Sequence, residues 1–122
     1  MTDTARVIVY EKPTCTTCRQ LAKLLREAGV AYEAVNYLLD PIPRAELARL
    51  VEVMGIAPRD LLRVREPAYR ELGLDRPELT DDELLDAMAE HPELVQRPIV
   101  VYGDRAVLAR PVERVREILQ LG

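Results

Sequence analysis

Both cysteines of this 122-residue chain lie in one stretch, Pro13-Thr14-Cys15-Thr16-Thr17-Cys18-Arg19, with the spacing Cys-x-x-Cys. A thiol reacts as its thiolate, so the elements around the pair decide what it can do. Before it runs Val7-Ile8-Val9-Tyr10, apolar and β-branched, as a buried strand should be. After it, Leu21, Leu24, Leu25 and Ala28 fall at helical spacing, which predicts an amphipathic helix from about Thr16. The cysteines therefore sit where a strand ends and a helix starts. Unpaired backbone N–H groups and the positive end of the helix dipole favour negative charge there. The same groups push a thiol towards thiolate and can hold an oxyanion. A nucleophilic or redox pair is the leading reading. A zinc site lacks two ligands, since there are no further cysteines and His91 is the only histidine. Inert packing of two small apolar thiols stays open as the third reading.

Four arginines are the other candidates. Arg19 lies four residues after Cys15, on the first turn of its helix. Arg63 closes the run Asp60-Leu61-Leu62-Arg63. Arg97 directly precedes Pro98 at the start of a strand, and Arg110 ends the next strand before Pro111. By spacing alone each is a solvated surface charge, but the two at strand junctions have the stronger claim, because active sites favour such edges. All but two of the 17 basic residues are arginine, the exceptions being Lys12 and Lys23. Codon bias accounts for most of that, yet arginine is the better residue for forked contacts to oxyanions. His91-Pro92 reads as the cap of a helix over residues 81 to 90. The five tyrosines read as core and rim packing, and Thr80-Asp81-Asp82-Glu83 as a helix start that needs no metal.

The elements that must position these residues follow in order. Residues 1 to 5 read as a frayed end. Strand one covers about Arg6 to Tyr10, and its helix ends at Gly29, a natural residue to follow a helix. Tyr32 to Tyr37 makes a second strand, closing a right-handed βαβ unit. Pro43 suits the first turn of a helix whose stripe is Leu47, Leu50, Val51 and Met54, stopped by Gly55. From Ala57 to Gln96 the chain reads as helical and loop-rich, with no convincing strand. Thr80 and Glu83 form a capping-box pattern. The period then changes: Pro98 to Tyr102 and Ala106 to Ala109 are two strands, joined by a Gly103-Asp104 hairpin turn. Pro111 opens a last helix with Val112, Val115, Ile118 and Leu119 facing inward. The expected fold is α/β, a mixed sheet in the order βαβ … ββα, as a single domain over residues 1–122 with a helical insertion at about 41–96.

Composition bounds the function. Charged residues at 31% and hydrophobic ones at 48% are ordinary for a soluble globular protein. No apolar run approaches the ~18 residues needed to span a bilayer, so no membrane role is expected. The N-terminus shows no signal-peptide pattern, and two cysteines without a wider framework fit a reducing cytoplasm. A net charge of −4 argues against broad binding to nucleic acid, and no direct nucleic-acid contact is expected.

Taken together, Pro13-Thr14-Cys15, Asp60-Leu61-Leu62-Arg63, Glu90-His91-Pro92, Arg97-Pro98-Ile99-Val100-Val101 and Arg110-Pro111 are specific. From Val7 to about Leu119 the chain resembles the small arsenate reductases that use glutathione and glutaredoxin, and their relatives, the Spx regulators that bind RNA polymerase. The resemblance implies a thioredoxin-like sheet interrupted by a helical insert. It implies Cys15 as the nucleophile towards arsenate, and Arg63, Arg97 and Arg110 as the arginines that hold the oxyanion, with Arg19 nearby. It implies glutathione as co-substrate, no bound cofactor or metal, glutaredoxin or thioredoxin as redox partner, and a monomer. Two positions differ from those reductases. Glu11 stands where a histidine is common, four residues before the nucleophile, and Cys18 stands where serine is frequent. Cys18 allows an internal disulfide with Cys15, and Cys-x-x-Cys followed by arginine looks more like the disulfide switch of Spx regulators. That pattern lacks a counterpart of Arg110-Pro111. A redox-sensing regulator is the alternative reading.

Overall fold

The computed structural model describes residues 6–121, so the predicted frayed end at residues 1 to 5 lies outside the described residues. The described chain runs β1 (Val7–Glu11), α1 (Thr16–Glu27), β2 (Glu33–Asn36), α2 (Arg44–Met54), α3 (Pro67–Glu71), α4 (Asp81–Glu90), β3 (Ile99–Tyr102) and β4 (Arg105–Leu108). Short 3₁₀ helices lie at Pro58–Leu61, Pro92–Leu94 and Val112–Glu117. The elements form two compact units. One holds the segments up to Tyr37 and from Arg97 onward, and the other is Leu38–Gln96.

The first unit is a four-stranded sheet in the order β2-β1-β3-β4. β1 pairs parallel with β2, Val9 opposite Ala34, and antiparallel with β3, Val9 opposite Val100. The parallel pair requires a crossover, and α1 supplies it. Period-two alternation buries Val7 and Val9 of β1 on one face, where Leu21 and Leu25 of α1 meet them. Val100, Val107, Ala109, Val115, Ile118 and Leu119 complete that core. β3 buries Ile99, Val100 and Val101 in succession, as a central strand does when both of its faces are covered.

Local chemistry sets the ends of these elements. α1 stops because Gly29 takes φ +74, a left-handed conformation that costs glycine little. The Val30 N–H then bonds the Leu25 carbonyl at 2.9 Å and the Gly29 N–H bonds the Arg26 carbonyl at 3.1 Å, which together satisfy two orphan acceptors of the last turn. β3 and β4 are joined through Gly103 at φ +63, with no positive φ at Asp104, the pattern of a turn with glycine at its first central position.

The helical unit packs α2 against α4 through Leu47, Leu50, Val51, Leu84, Leu85 and Met88, all buried. The Thr80–Glu83 capping box is present: Thr80 Oγ1 accepts from the Glu83 N–H at 3.1 Å, and Glu83 Oε1 accepts from the Thr80 N–H at 2.8 Å. His91 holds the C-cap position of α4. The one β feature described here is the antiparallel bridge Leu62–Val95.

Two details depart from the sequence reading. Pro43 is the residue before α2, not part of its first turn; its ψ of 149° is extended, and the helix begins at Arg44. The last helix is a six-residue 3₁₀ segment, although its inward face is as expected. Hydrogen bonds such as Arg114 N–H to Pro111 carbonyl, 3.0 Å, close three-residue turns there. Val112 and Val115 are β-branched, which lowers the propensity of so short a run to nucleate an α-helix.

Candidate active site

Cys15 is the N-cap of α1, with extended φ/ψ of −76°, 128°. Its carbonyl accepts from the Arg19 N–H at 3.0 Å, and its own N–H donates to the Lys12 carbonyl at 2.9 Å, so a tight turn presents the side chain. The Cys18 N–H points at Cys15 Sγ, 3.5 Å away. A sulfur here replaces the oxygen of an ordinary N-cap, and a thiolate sulfur accepts far better than a thiol.

Arg97 closes the site from the start of β3. It is 7% exposed, buried charge that would be costly without a partner. Its Nη1 lies 3.5 Å from the Tyr37 hydroxyl, at the limit of a hydrogen bond, and its Nε is buried with no hydrogen-bond partner. Arg110 is tied to it: Arg110 Nη1 donates to the Arg97 carbonyl at 2.9 Å. The Arg97–Pro98 and Arg110–Pro111 peptide bonds are both cis.

The two thiols are pushed in opposite directions. Burial alone would raise the Cys15 pKa, but hydrogen bonds from the backbone and side chain of Cys18, with the hydrogen bond and charge of Arg97, outweigh it. The result is lowered from 9.0 to about 7. Cys18, 2% exposed, is pushed up to about 12. Burial is the main cause; a backbone hydrogen bond at Lys12 works against it, and Cys15 and the Glu11 charge add to it. The two environments separate the thiols: Cys15 is the more readily ionised, and Cys18 stays protonated at neutral pH. Burial also raises the Glu11 carboxyl at the end of β1, and its charge acts on Cys18.

Cys15, Cys18, Arg97 and Arg110 thus belong to one unit and are linked by named contacts. Arg19 is in the same unit, exposed on α1, and its side chain makes no hydrogen bond or ion pair among the described residues. Arg63 belongs to the helical unit, where it follows the Leu62–Val95 bridge and donates from Nε to Glu66 Oε2 at 3.3 Å. Tyr37 was missed by the sequence reading, which treated all five tyrosines as packing. Its place just after the second strand of the βαβ unit, an edge where sites form, was the available signal.

The sheet unit thus combines a thioredoxin-like α/β fold, a thiol of lowered pKa at a helix N-terminus and a buried, incompletely bonded guanidinium beside it. The model of the ArsC family matches residues 10–118, and the chain belongs to that family. It is 40% identical to an arsenate reductase of Neisseria meningitidis serogroup A over 91% of this chain and 96% of that one. With an arsenate reductase of Escherichia coli K12 it shares 42% identity over 94% of this chain and 82% of the other. The solved structure of an arsenate reductase from Vibrio cholerae superposes with a TM-score of 0.90 at 40% identity, covering 96% of this chain and 100% of that one. The Spx alternative is not favoured. Among the described residues no helix is long and apolar enough to cross a membrane.

Proposed function

We propose that this protein is a cytoplasmic arsenate reductase with Cys15 as its nucleophile. The observation that carries the reading is the pairing of a Cys15 thiol at about 7 with a buried Arg97 whose Nε has no partner. A tetrahedral oxyanion supplies acceptors for that guanidinium and an electrophilic centre for the thiolate. Nucleophile activation and substrate binding then have one electrostatic cause.

The thiolate attacks arsenic; an S–As bond forms and one arsenate oxygen leaves as water. A second thiol then bonds the Cys15 sulfur. The S–As bond breaks with its electron pair retained on arsenic, so As(V) becomes As(III), two sulfurs become a disulfide, and arsenite departs. Arg97 and Arg110 hold the oxyanion in this proposal. Arg63 joins them, and Arg19 acts as a peripheral contact, on the family resemblance alone.

The second thiol is glutathione, with glutaredoxin reducing the mixed disulfide, or Cys18, with thioredoxin reducing the internal one. The burial of Cys18 and its pKa of about 12 favour the external thiol for the first attack, since little Cys18 thiolate exists at neutral pH. Arsenite production with glutaredoxin and thioredoxin supplied separately tests the reading, with mass spectrometry after one turnover. A glutathione adduct on Cys15 supports the external route, and a loss of two protons supports the internal disulfide. No arsenite with either reductant ends the proposal.

A further inference from the structure

Arg63 is held differently from Arg97 and Arg110, because a carboxylate already faces it. Its backbone is fixed: the Arg63 N–H donates to the Leu94 carbonyl at 2.7 Å, beside the Leu62–Val95 bridge. The Glu66 N–H bonds the Arg63 carbonyl at 3.2 Å, and this turn brings the Glu66 carboxylate to the guanidinium. The bond from Nε to Glu66 Oε2, 3.3 Å, is the one hydrogen bond of the Arg63 side chain among the described residues. Glu66 is the N-cap residue of α3, where a side chain ordinarily bonds the first free N–H groups of the helix. Its carboxylate makes no such bond and pairs with Arg63 instead. The two side chains are 22% and 24% exposed, so salt screens the pair less than it would an open surface pair. Glu66 also lines an open cleft of about 510 Å³ together with Arg65 and Arg70. Neither of those guanidiniums has a hydrogen bond or ion pair among the described residues.

We propose that Glu66 is a built-in competitor for the substrate oxyanion: its carboxylate holds Arg63 in the free protein, and arriving arsenate takes its place while Glu66 moves to Arg70. The inference rests on the proposed reading of Cys15 as the arsenic nucleophile and of Arg63 as an oxyanion ligand. To a guanidinium a carboxylate and an arsenate oxygen are alike, both being anionic acceptors for its N–H groups. Held by a single long bond, Arg63 exchanges one acceptor for the other at little cost. A released Glu66 repels the bound anion unless a cation receives it. Arg70 stands four residues after Glu66, one turn along α3, and is free to do so. The other carboxylate of the cleft is Glu71, next to Arg70 in sequence, and adjacent residues of a helix do not face each other. Glu66 is thus a positioning residue: it orients Arg63 before the anion arrives and sets how tightly the anion is held.

Arsenate titrations of the full chain test it, in the Cys15→Ser background where no adduct forms. The Arg63 Nε–H resonance should shift as arsenate is added. Glu66→Gln, which removes the competing charge, should tighten arsenate binding about two- to fivefold. Arg70→Gln should weaken it by a similar factor, but only while Glu66 is present; in the Glu66→Gln protein the same change should have no effect. With Cys15 intact, Glu66→Gln should lower the KM for arsenate. The binding measurements need no turnover, so tightening without arsenite production would keep the competitor and remove the reductase reading. Arsenite production with an unchanged or weakened affinity in Glu66→Gln overturns the competitor and leaves the reductase standing. An Arg63 Nε–H that arsenate does not move also overturns it, as does an equal effect of Arg70→Gln with and without Glu66, the mark of a general surface field.

Discussion

The arginines of the two units are held in different ways. In the helical unit three of them are neutralised or tied to carbonyls. Arg44 bridges α2 to α4 through Asp82 at 3.0 Å and Asp86 at 2.5 Å, Arg59 donates to the carbonyls of Leu74 and Arg76, and Arg63 is paired with Glu66. In the sheet unit the two arginines at strand ends have no carboxylate. Arg97 is buried with an unpartnered Nε, and Arg110 donates to a carbonyl and to no acid. A neutralised arginine has no charge to spare for a ligand; a cation left partly unsatisfied beside a thiol is what an oxyanion site requires. Arg63 falls between the sets, since its Glu66 pairing resembles the structural arginines while the family resemblance assigns it to the anion.

The sharpest test of this contrast is Cys15→Ser. It should abolish arsenite production while leaving the circular dichroism spectrum unchanged, because the half-buried N-cap side chain changes little in size. Retained activity would remove the sheet unit's claim to the chemistry.

Next in size is Arg110→Ala, which should lower kcat/KM for arsenate roughly ten- to a hundredfold, the effect of a lost charge-assisted hydrogen bond of about 1.5–3 kcal/mol. Arg110→Lys should recover part of this, keeping the charge and losing the fork. If wild type and both variants share the same kcat/KM and the same iodoacetamide-reactivity pKa of Cys15, the anion pocket is wrong.

A smaller effect follows from Tyr37. Tyr37→Phe removes one partner of Arg97 and loosens the guanidinium that stabilises the thiolate. The Cys15 pKa should rise above 7, moving the ascending limb of the pH–rate profile to higher pH. An unmoved limb would make Tyr37 a packing residue after all.

The two thiols also predict opposite dependences of stability on pH. Cys15 is lowered from 9.0 to about 7, so the folded state gains stability as pH rises from 7 to 9 and loses that contribution as pH falls through 7. Cys18 is raised from 9.0 to about 12, so the unfolded state releases that proton first and stability declines from pH 9 upwards. Urea titrations at pH 8 and pH 10 should show a smaller decline in Cys18→Ala than in wild type. The least effect is expected from Arg44→Ala on the helical unit, where both ion pairs are exposed. The denaturation midpoint should hardly move and activity should stay at the wild-type level.

Much of this was legible in the chain itself. The period-two run before Cys15, the helical stripe after it, Gly29, the Thr80–Glu83 box and the Gly103 turn are local signals, in which a few neighbouring residues decide the backbone. They suffice to place Cys15 at a helix N-terminus and Arg97 and Arg110 at strand ends. The 3₁₀ character of Val112–Glu117 was less legible, because i→i+3 and i→i+4 bonding differ too little in side-chain pattern over six residues. What only the tertiary structure decided is which charges lose water and which find partners. Tyr37 and Arg97 are 60 residues apart, and their meeting depends on how β2 and β3 flank β1 in the sheet. The split of the thiols, about 7 against about 12, arises because one sulfur receives the Cys18 N–H and a guanidinium while the other, three residues on, is buried. Spacing places both cysteines on the same turn of helix; the fold brings Arg97 to Cys15 and lowers its pKa, while burial keeps Cys18 protonated.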